Sequence, residues 1–347
     1  MTPWYRWLLA PLDVLALATS AKAFRDNPVM GSPTLNHRGL HLLRRELARR
    51  AASRRRRLLT AAISAADREN FERDGYLVKP NYLDEPVFRA LRDEILGLRA
   101  PAREFVDGYT MTRLIPLDAD NLAKLPTAAR VLGMPSYRGL LDYIGSFRRR
   151  PHLFIQTVFS RIREAPPDVQ SHFHSDTFHP TVKAWLFLND VAEDDAAFTY
   201  VPGSHHGNRR RLAWERRASI EAASSRDALS QEGSLRIKEH ELKHLGYGEP
   251  RRLSAAANTL IVADTSGFHA RGIPDHASTR VCIWAYSRSN PFLPWVSGDL
   301  AALPLLQGRA VRLFWALQDV SKRLFGASTG WRWAGVRTPL TPPEVGG

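Results

Sequence analysis

Three of the 12 histidines in this 347-residue chain fall within eight residues, in the stretch SHFHSDTFHP, and one of them, His174, stands two residues before Asp176. If the stretch is an extended strand, Gln170, His172, His174 and Asp176 point to one side, and His174 and Asp176 can grip one ion. Alone, the pair is weak evidence. With aspartate at about one residue in twenty, 12 histidines give about a half chance of such a pair at random. Two more residues strengthen the case. His269 follows an apolar run and a turn, and Arg280, 11 residues later, opens the run RVCIWAYS. Strand alternation there sets Cys282, Trp284 and Tyr286 on the arginine's face, and an arginine pointing into an aromatic interior needs an anion. His174, Asp176 and His269 together have the composition of the facial triad that holds non-haem Fe(II) and leaves three positions open. The same ligands would suit zinc-water hydrolysis. The arginine, the aromatic interior and the lack of an evident general base favour iron.

Around these residues the chain divides into helical and β-rich stretches. Residues 40–63 are rich in Leu, Ala and Arg and predict a basic helix. Ser64 is an N-cap with an acid three residues later, so a second helix runs to about Arg73. A turn and short strand follow in GYLVKPNYLD. Glu85 to Leu98 is helical, with Val87, Leu91, Ile95 and Leu98 on one face. From Pro151 the texture changes to short β-rich runs: HLFIQTVFSRI, QSHFHSD, VKAWLFLND, AFTYVP, TLIVADT and TRVCIWAYS. Such runs, parted by Pro, Gly and Asp turns with little room for crossover helices, favour an antiparallel sandwich or barrel. Residues 208–250 read as a helix-prone insertion or lid. The run RAVRLFWALQDVSKRLFG predicts an amphipathic helix ahead of a flexible end.

Composition bounds the rest. The single cysteine, Cys282, excludes an intramolecular disulfide and a Cys-rich zinc site. The net charge of +14 suggests nucleic acid or an anionic membrane, but residues 1–65 hold 12 Lys and Arg against three acids and so carry nine of those charges. That argues against a nucleic-acid surface on the β region. The opening MTPWYRWLLAPLDVLALA is interrupted by Pro11 and Asp13 and is too short to span a bilayer. Its Trp4, Tyr5 and Trp7, with eight arginines between Arg44 and Arg57, suggest peripheral contact with an anionic membrane through residues 1–63; the alternative is that the extension packs on the catalytic domain with its arginines solvated.

In order and spacing, the motifs HSD (His174 to Asp176), KAW (Lys183 to Trp185), VPGSHHG (Val201 to Gly207), His269 and Arg280 resemble the phytanoyl-CoA dioxygenase family of Fe(II)- and 2-oxoglutarate-dependent oxygenases. ADRENFERDGYLV, Ala66 to Val78, resembles the family's opening, so the likeness covers about residues 64–290. The resemblance implies that His174, Asp176 and His269 bind Fe(II), and that Arg280 pairs with the distal carboxylate of 2-oxoglutarate. It further implies that Gln156 contacts the co-substrate and that Trp185 lines the pocket. The family often has Ser or Thr two residues past the distal histidine; here stands Arg271, which either replaces that hydroxyl or turns toward an anionic substrate. His172, His179, His205 and His206 match no family ligand position. The PGSH turn reads mainly as scaffold, its glycine suited to positive φ.

The expected fold is therefore mainly β with flanking helices: a double-stranded β-helix (a cupin-like jelly roll) at 64–300, a helical extension at 1–63, and a helix with a flexible tail at 301–347. The expected activity is hydroxylation of an unactivated C–H bond in a small-molecule or lipid-like substrate. Fe(II) is the metal, and 2-oxoglutarate and O2 are the co-substrates. The alternatives are a metal hydrolase on the same site or a non-catalytic membrane adaptor. The expected location is cytoplasmic, with or without contact at the inner membrane face.

Overall fold

The computed structural model describes residues 6–298, 308–325 and 330–344. Trp4 and Tyr5 of the expected anchor, residues 301–307 and the last three residues of the tail lie outside these. Among the described residues eleven strands form two antiparallel sheets: β1 (Tyr76–Lys79), β2 (Ala100–Asp107), β3 (Thr110–Pro116), β4 (His152–Ser160), β5 (Val182–Phe187), β6 (Phe198–Tyr200), β7 (Arg251–Leu253), β8 (Leu260–Asp264), β9 (His269–Arg271), β10 (Ser278–Ser287) and β11 (Arg332–Arg337). The large sheet has the order β1-β8-β5-β10-β4-β3-β2-β11 and the small one β7-β6-β9. From β5 to β10 the chain crosses repeatedly between the sheets, winding as a double-stranded β-helix, the expected jelly roll.

Alternation along the central strands decides what each face does. In β5, Val182, Ala184 and Leu186 join the main core, where the helices Glu85–Gly97, Pro126–Gly133 and Pro135–Gly145 cover the sheet. Lys183, Trp185 and Phe187 fall on the other face. In β10, Val281, Ile283 and Ala285 likewise join the main core, while Arg280, Cys282 and Trp284 face the interior between the sheets.

Three expectations about elements differ from the structure. The β region does not begin at Pro151, because β2 and β3 precede it and extend the large sheet beside β4. The tail is not free over its whole length: β11 pairs with β2, and the buried Arg113 guanidinium donates to the carbonyls of Thr338, Pro339 and Thr341. QSHFHSD is not a continuous strand. It is a short 3-10 turn, Val169–Ser171, followed by isolated bridges from His174 to Arg236 and to His269; His174 and His269 exchange both backbone hydrogen bonds at 3.0 Å. His172 accordingly turns out to solvent.

The extension packs on the domain. In the helix Leu40–Leu58, Arg44, Arg45 and Arg55 are buried and Arg56 is half-buried, so half of the eight arginines expected to be solvated are not. Arg44 donates to the carbonyls of Leu17, Thr19 and Ala21, Arg45 pairs with Glu215 at 3.0 Å, and Arg56 pairs with Asp264 at 3.0 Å. Residues 209–245 form a second core, with Trp214, Leu235, Ile237 and Leu242 against Phe24, Phe173 and Phe268. This insertion backs the His174–Asp176 segment: Ser175 N–H donates to Leu235 O at 3.1 Å and Ile237 N–H to Phe173 O at 2.9 Å. Gly233, at φ +82°, lets the insertion touch the extension, since a Cβ there would stand 2.2 Å from Lys22 O. Among the described residues no helix is long and apolar enough to cross a membrane.

Candidate metal centre and co-substrate pocket

His174, Asp176 and His269 converge, with one ligand atom from each lying within 4.8 Å of the others. The His174–His269 bridge sets the two rings side by side, their centroids 4.4 Å apart, and Asp176 N–H donates to Thr265 O at 2.9 Å to fix the third ligand. Asp176 Oδ1 lies 3.8 Å from His174 Nε2 and 3.7 Å from His269 Nε2. Each imidazole is oriented by its other nitrogen: His174 Nδ1 is 2.7 Å from His172 O and His269 Nδ1 is 3.0 Å from Gly267 O. Carbonyls can only accept, so both Nδ1 atoms carry the proton and both Nε2 lone pairs face the carboxylate. Burial lowers the His269 pKa to about 4 and pushes His174 well below its ordinary value, with repulsion between the rings adding to it. Both are neutral at physiological pH, as metal ligation requires. Burial alone would raise Asp176, but Lys183, His269 and His174 outweigh it and hold the carboxyl well below the usual range.

The second carboxylate oxygen has its own partner. Lys183 Nζ lies 2.6 Å from Asp176 Oδ2, which leaves Oδ1 as the oxygen turned to the histidines. Lys22, from the extension, donates to Asp176 O at 2.6 Å. Burial lowers the Lys22 ammonium to about 8, so it keeps its charge at neutral pH. Neither lysine was singled out from sequence. Strand alternation put Lys183 on the face of Trp185, a readable signal; nothing in the sequence joins Lys22 to Asp176, 154 residues away.

Beyond the ligands lies a cavity of about 310 Å³, lined among others by Leu114, Gln156, Trp185, Phe198, Trp284 and Arg280. Arg280 is buried; its Nη1 donates to Ala196 O at 2.9 Å, while its Nε has no partner among the described residues. Burial lowers its pKa to about 10, which leaves it charged, so an unsatisfied cationic donor faces this space. Gln156 pairs in register with Cys282, and Trp185 packs on Phe198 with ring centroids 4.5 Å apart. The donor set fits a divalent iron, and the orphaned guanidinium nitrogen fits a carboxylate.

Arg271 has a carboxylate partner within the chain. Its Nη1 pairs at 2.9 Å with Asp168 Oδ2, a buried carboxylate that also accepts from Thr110 Oγ1 at 2.7 Å. This neutral pair forms part of the cavity wall. His179 and His205 are buried away from the cluster and His206 meets the carbonyl of Glu72. The PGSH turn holds the His269 strand in place: Gly203 takes φ +74°, Ser204 Oγ accepts from Phe268 N–H at 2.7 Å, and Val201 N–H donates to Phe268 O at 2.9 Å.

Solved structures with distant likeness include the α-ketoglutarate-dependent epimerase SnoN from nogalamycin biosynthesis, at 18% identity over 64% of this chain and 82% of that one, TM-score 0.42. HygX from Streptomyces hygroscopicus, with nickel and 2-oxoglutarate bound, follows at 18% over 71% and 94%, TM-score 0.39. EctD from S. alaskensis, with 2-oxoglutarate and 5-hydroxyectoine, is similar at 15% over 70% and 86%, TM-score 0.39. No curated protein matches the chain significantly in sequence. The model of the phytanoyl-CoA dioxygenase (PhyH) family matches residues 71–241, a segment that holds His174, Asp176, Trp185 and the PGSH turn; His269 and Arg280 follow it on β9 and β10. Across that segment, just under half of the chain, the sequence is similar to the phytanoyl-CoA dioxygenase family, a family of Fe(II)- and 2-oxoglutarate-dependent oxygenases.

Proposed function

We propose that this protein hydroxylates an unactivated C–H bond of a small molecule, consuming 2-oxoglutarate and O2 and releasing succinate and CO2. The observation that carries the reading is the pairing of an intact two-histidine, one-carboxylate cluster with the orphaned, buried Nε of Arg280. Bound Fe(II) would supply O2 activation coupled to oxidative decarboxylation of the keto acid. His174 Nε2, Asp176 Oδ1 and His269 Nε2 would hold it, leaving three positions for co-substrate and oxygen. Arg280 would anchor the far carboxylate of 2-oxoglutarate, Gln156 would meet its polar flank, and Trp185 and Phe198 would exclude water from the chelated end. Lys183, by engaging Oδ2, would leave Oδ1 to hold the metal. The presence of Asp176 favours hydroxyl over halide transfer, because a halide would need the carboxylate's position.

A hydrolase on the same ligands would need a base to activate water. Asp168, the buried acid of the cavity wall, is committed to Arg271 and Thr110, which weighs against that reading. A lipid-like substrate and membrane contact by residues 1–63 are left outside the proposal, since half the arginines they relied on bond to the protein itself. Incubation with Fe(II), 2-oxoglutarate, a metabolite extract and 18O-labelled O2 tests the reading: succinate is expected to form together with a product one labelled oxygen heavier. Product without succinate, or zinc replacing iron at equal rate, contradicts it.

A further inference from the structure

On the other side of Asp176 lies a second cavity, of about 430 Å³, which shares Lys183 and Trp284 with the first. Its walls are of two kinds. One is a ladder of rings: Trp284 and Tyr286 stack with centroids 4.9 Å apart, and His152 continues the ladder 5.0 Å beyond Tyr286. The other is cationic, formed by Lys22, Lys183 and Arg288. Lys183 has Asp176 as its counter-ion. Lys22 meets only that residue's backbone carbonyl and makes no ion pair among the described residues. Arg288 is exposed and has neither hydrogen bond nor ion pair there; it repels Lys22, though less strongly than the Asp176 carboxylate attracts it. An exposed guanidinium beside a half-buried ammonium, both on an aromatic wall, offers two cationic donors to an anion that enters between them.

We propose that this cavity seats a carboxylate or phosphate group of the prime substrate between Lys22 and Arg288, with the body of the molecule laid on the Trp284–Tyr286 ladder next to the iron ligand Asp176. The proposal rests on the oxygenase reading and deepens it by naming the substrate class. It also gives the N-terminal extension a place in the site. Residues 17–21 are gripped by Arg44, and Phe24 is locked to Gln231 by a 2.8 Å backbone hydrogen bond, so Lys22 is delivered into the cavity from a segment fixed on both sides.

The test is calorimetric titration of the full-length protein, loaded anaerobically with Fe(II) and saturating 2-oxoglutarate, with benzoate, phenyl phosphate and benzyl alcohol. The two anions are expected to bind about tenfold or more tightly than the alcohol, and Arg288→Ala and Lys22→Met are each expected to weaken them by about tenfold. Whichever anion binds better identifies the group as carboxylate or phosphate. Lys22 also ties the extension down, so the exposed Arg288→Ala is the cleaner variant. Equal binding of anions and alcohol, undiminished anion binding by Arg288→Ala, or displacement of 2-oxoglutarate by the probes would overturn the proposal. The visible absorption of the iron-bound keto acid is read in the same samples. Its absence in wild-type protein sinks the oxygenase reading, whereas loss of anion selectivity with the absorption intact sinks the subsite alone.

Discussion

In the proposed oxygenase reading Asp176 and Arg280 would serve the same chemistry in different ways, and their variants should fail differently. Asp176→Ala removes a ligand and is expected to abolish turnover at any 2-oxoglutarate concentration. Arg280→Ala leaves a carboxylate unpaired, so it is expected to weaken 2-oxoglutarate by about 2–5 kcal/mol while retaining turnover at saturation. Succinate release measured against 2-oxoglutarate concentration separates them, and full rescue of Asp176→Ala by excess co-substrate would show the roles to be misassigned. Much of this was legible in the sequence, because a period of two puts Arg280 with Cys282 and Trp284, and Lys183 with Trp185. Periodicity gives faces, not partners. The pairing of Arg271 with Asp168, 103 residues away, and of Lys22 with Asp176 depends on chain crossings that no local pattern encodes.

Among elements, the Leu40–Leu58 helix shows how local reading succeeds and then stops. Leu, Ala and Arg predict the helix, but arginines lie all round it, so composition alone does not say which of them dock. In the run Arg54 to Arg57, Arg55 is 1% exposed; it donates to Ser146 O and Pro291 O at 3.0 Å and lies over the Phe147 ring at 3.8 Å. Arg54 is exposed. Arg55→Ala strands buried carbonyls and is expected to cost about 3–5 kcal/mol, whereas Arg54→Ala stays within about 0.5 kcal/mol. Urea midpoints of the two variants check this, and equal midpoints would contradict the docking. The β2–β3 hairpin turns at Gly108-Tyr109, with Gly108 at φ +54° in the first loop position, a readable glycine turn signal, but Pro101 and the helices on either side of it masked the signal. QSHFHSD misled because alternating polarity looks like a strand even where, as here, one residue bridges and its neighbours turn away.

At the scale of the whole molecule, buried histidines tie stability to pH. Burial lowers His41 to about 4 and His179 to about 3 from an ordinary 6.5. Between those values the unfolded chain binds a proton that the folded chain refuses, so stability declines as pH drops below about 6.5, by about 2 kcal/mol per histidine at pH 5. Asp142, raised by burial to about 6, works in the opposite sense over the same range; it is one group against several histidines. Urea unfolding of metal-free protein is expected to give a lower midpoint at pH 5 than at pH 7, and a flat or rising midpoint on acidification would contradict the burial of these rings. The charge that looked like a surface property is likewise partly internal, used to seat the extension whose Lys22 reaches the candidate metal site. Whether that site takes iron and a keto acid together decides the assignment. Anaerobic addition of Fe(II) and then 2-oxoglutarate to the purified protein, followed by visible absorption, measures this directly. A weak charge-transfer band is expected that needs both additions and is absent from Asp176→Ala. No band in wild-type protein, or one that persists unchanged without Asp176, would contradict the central claim.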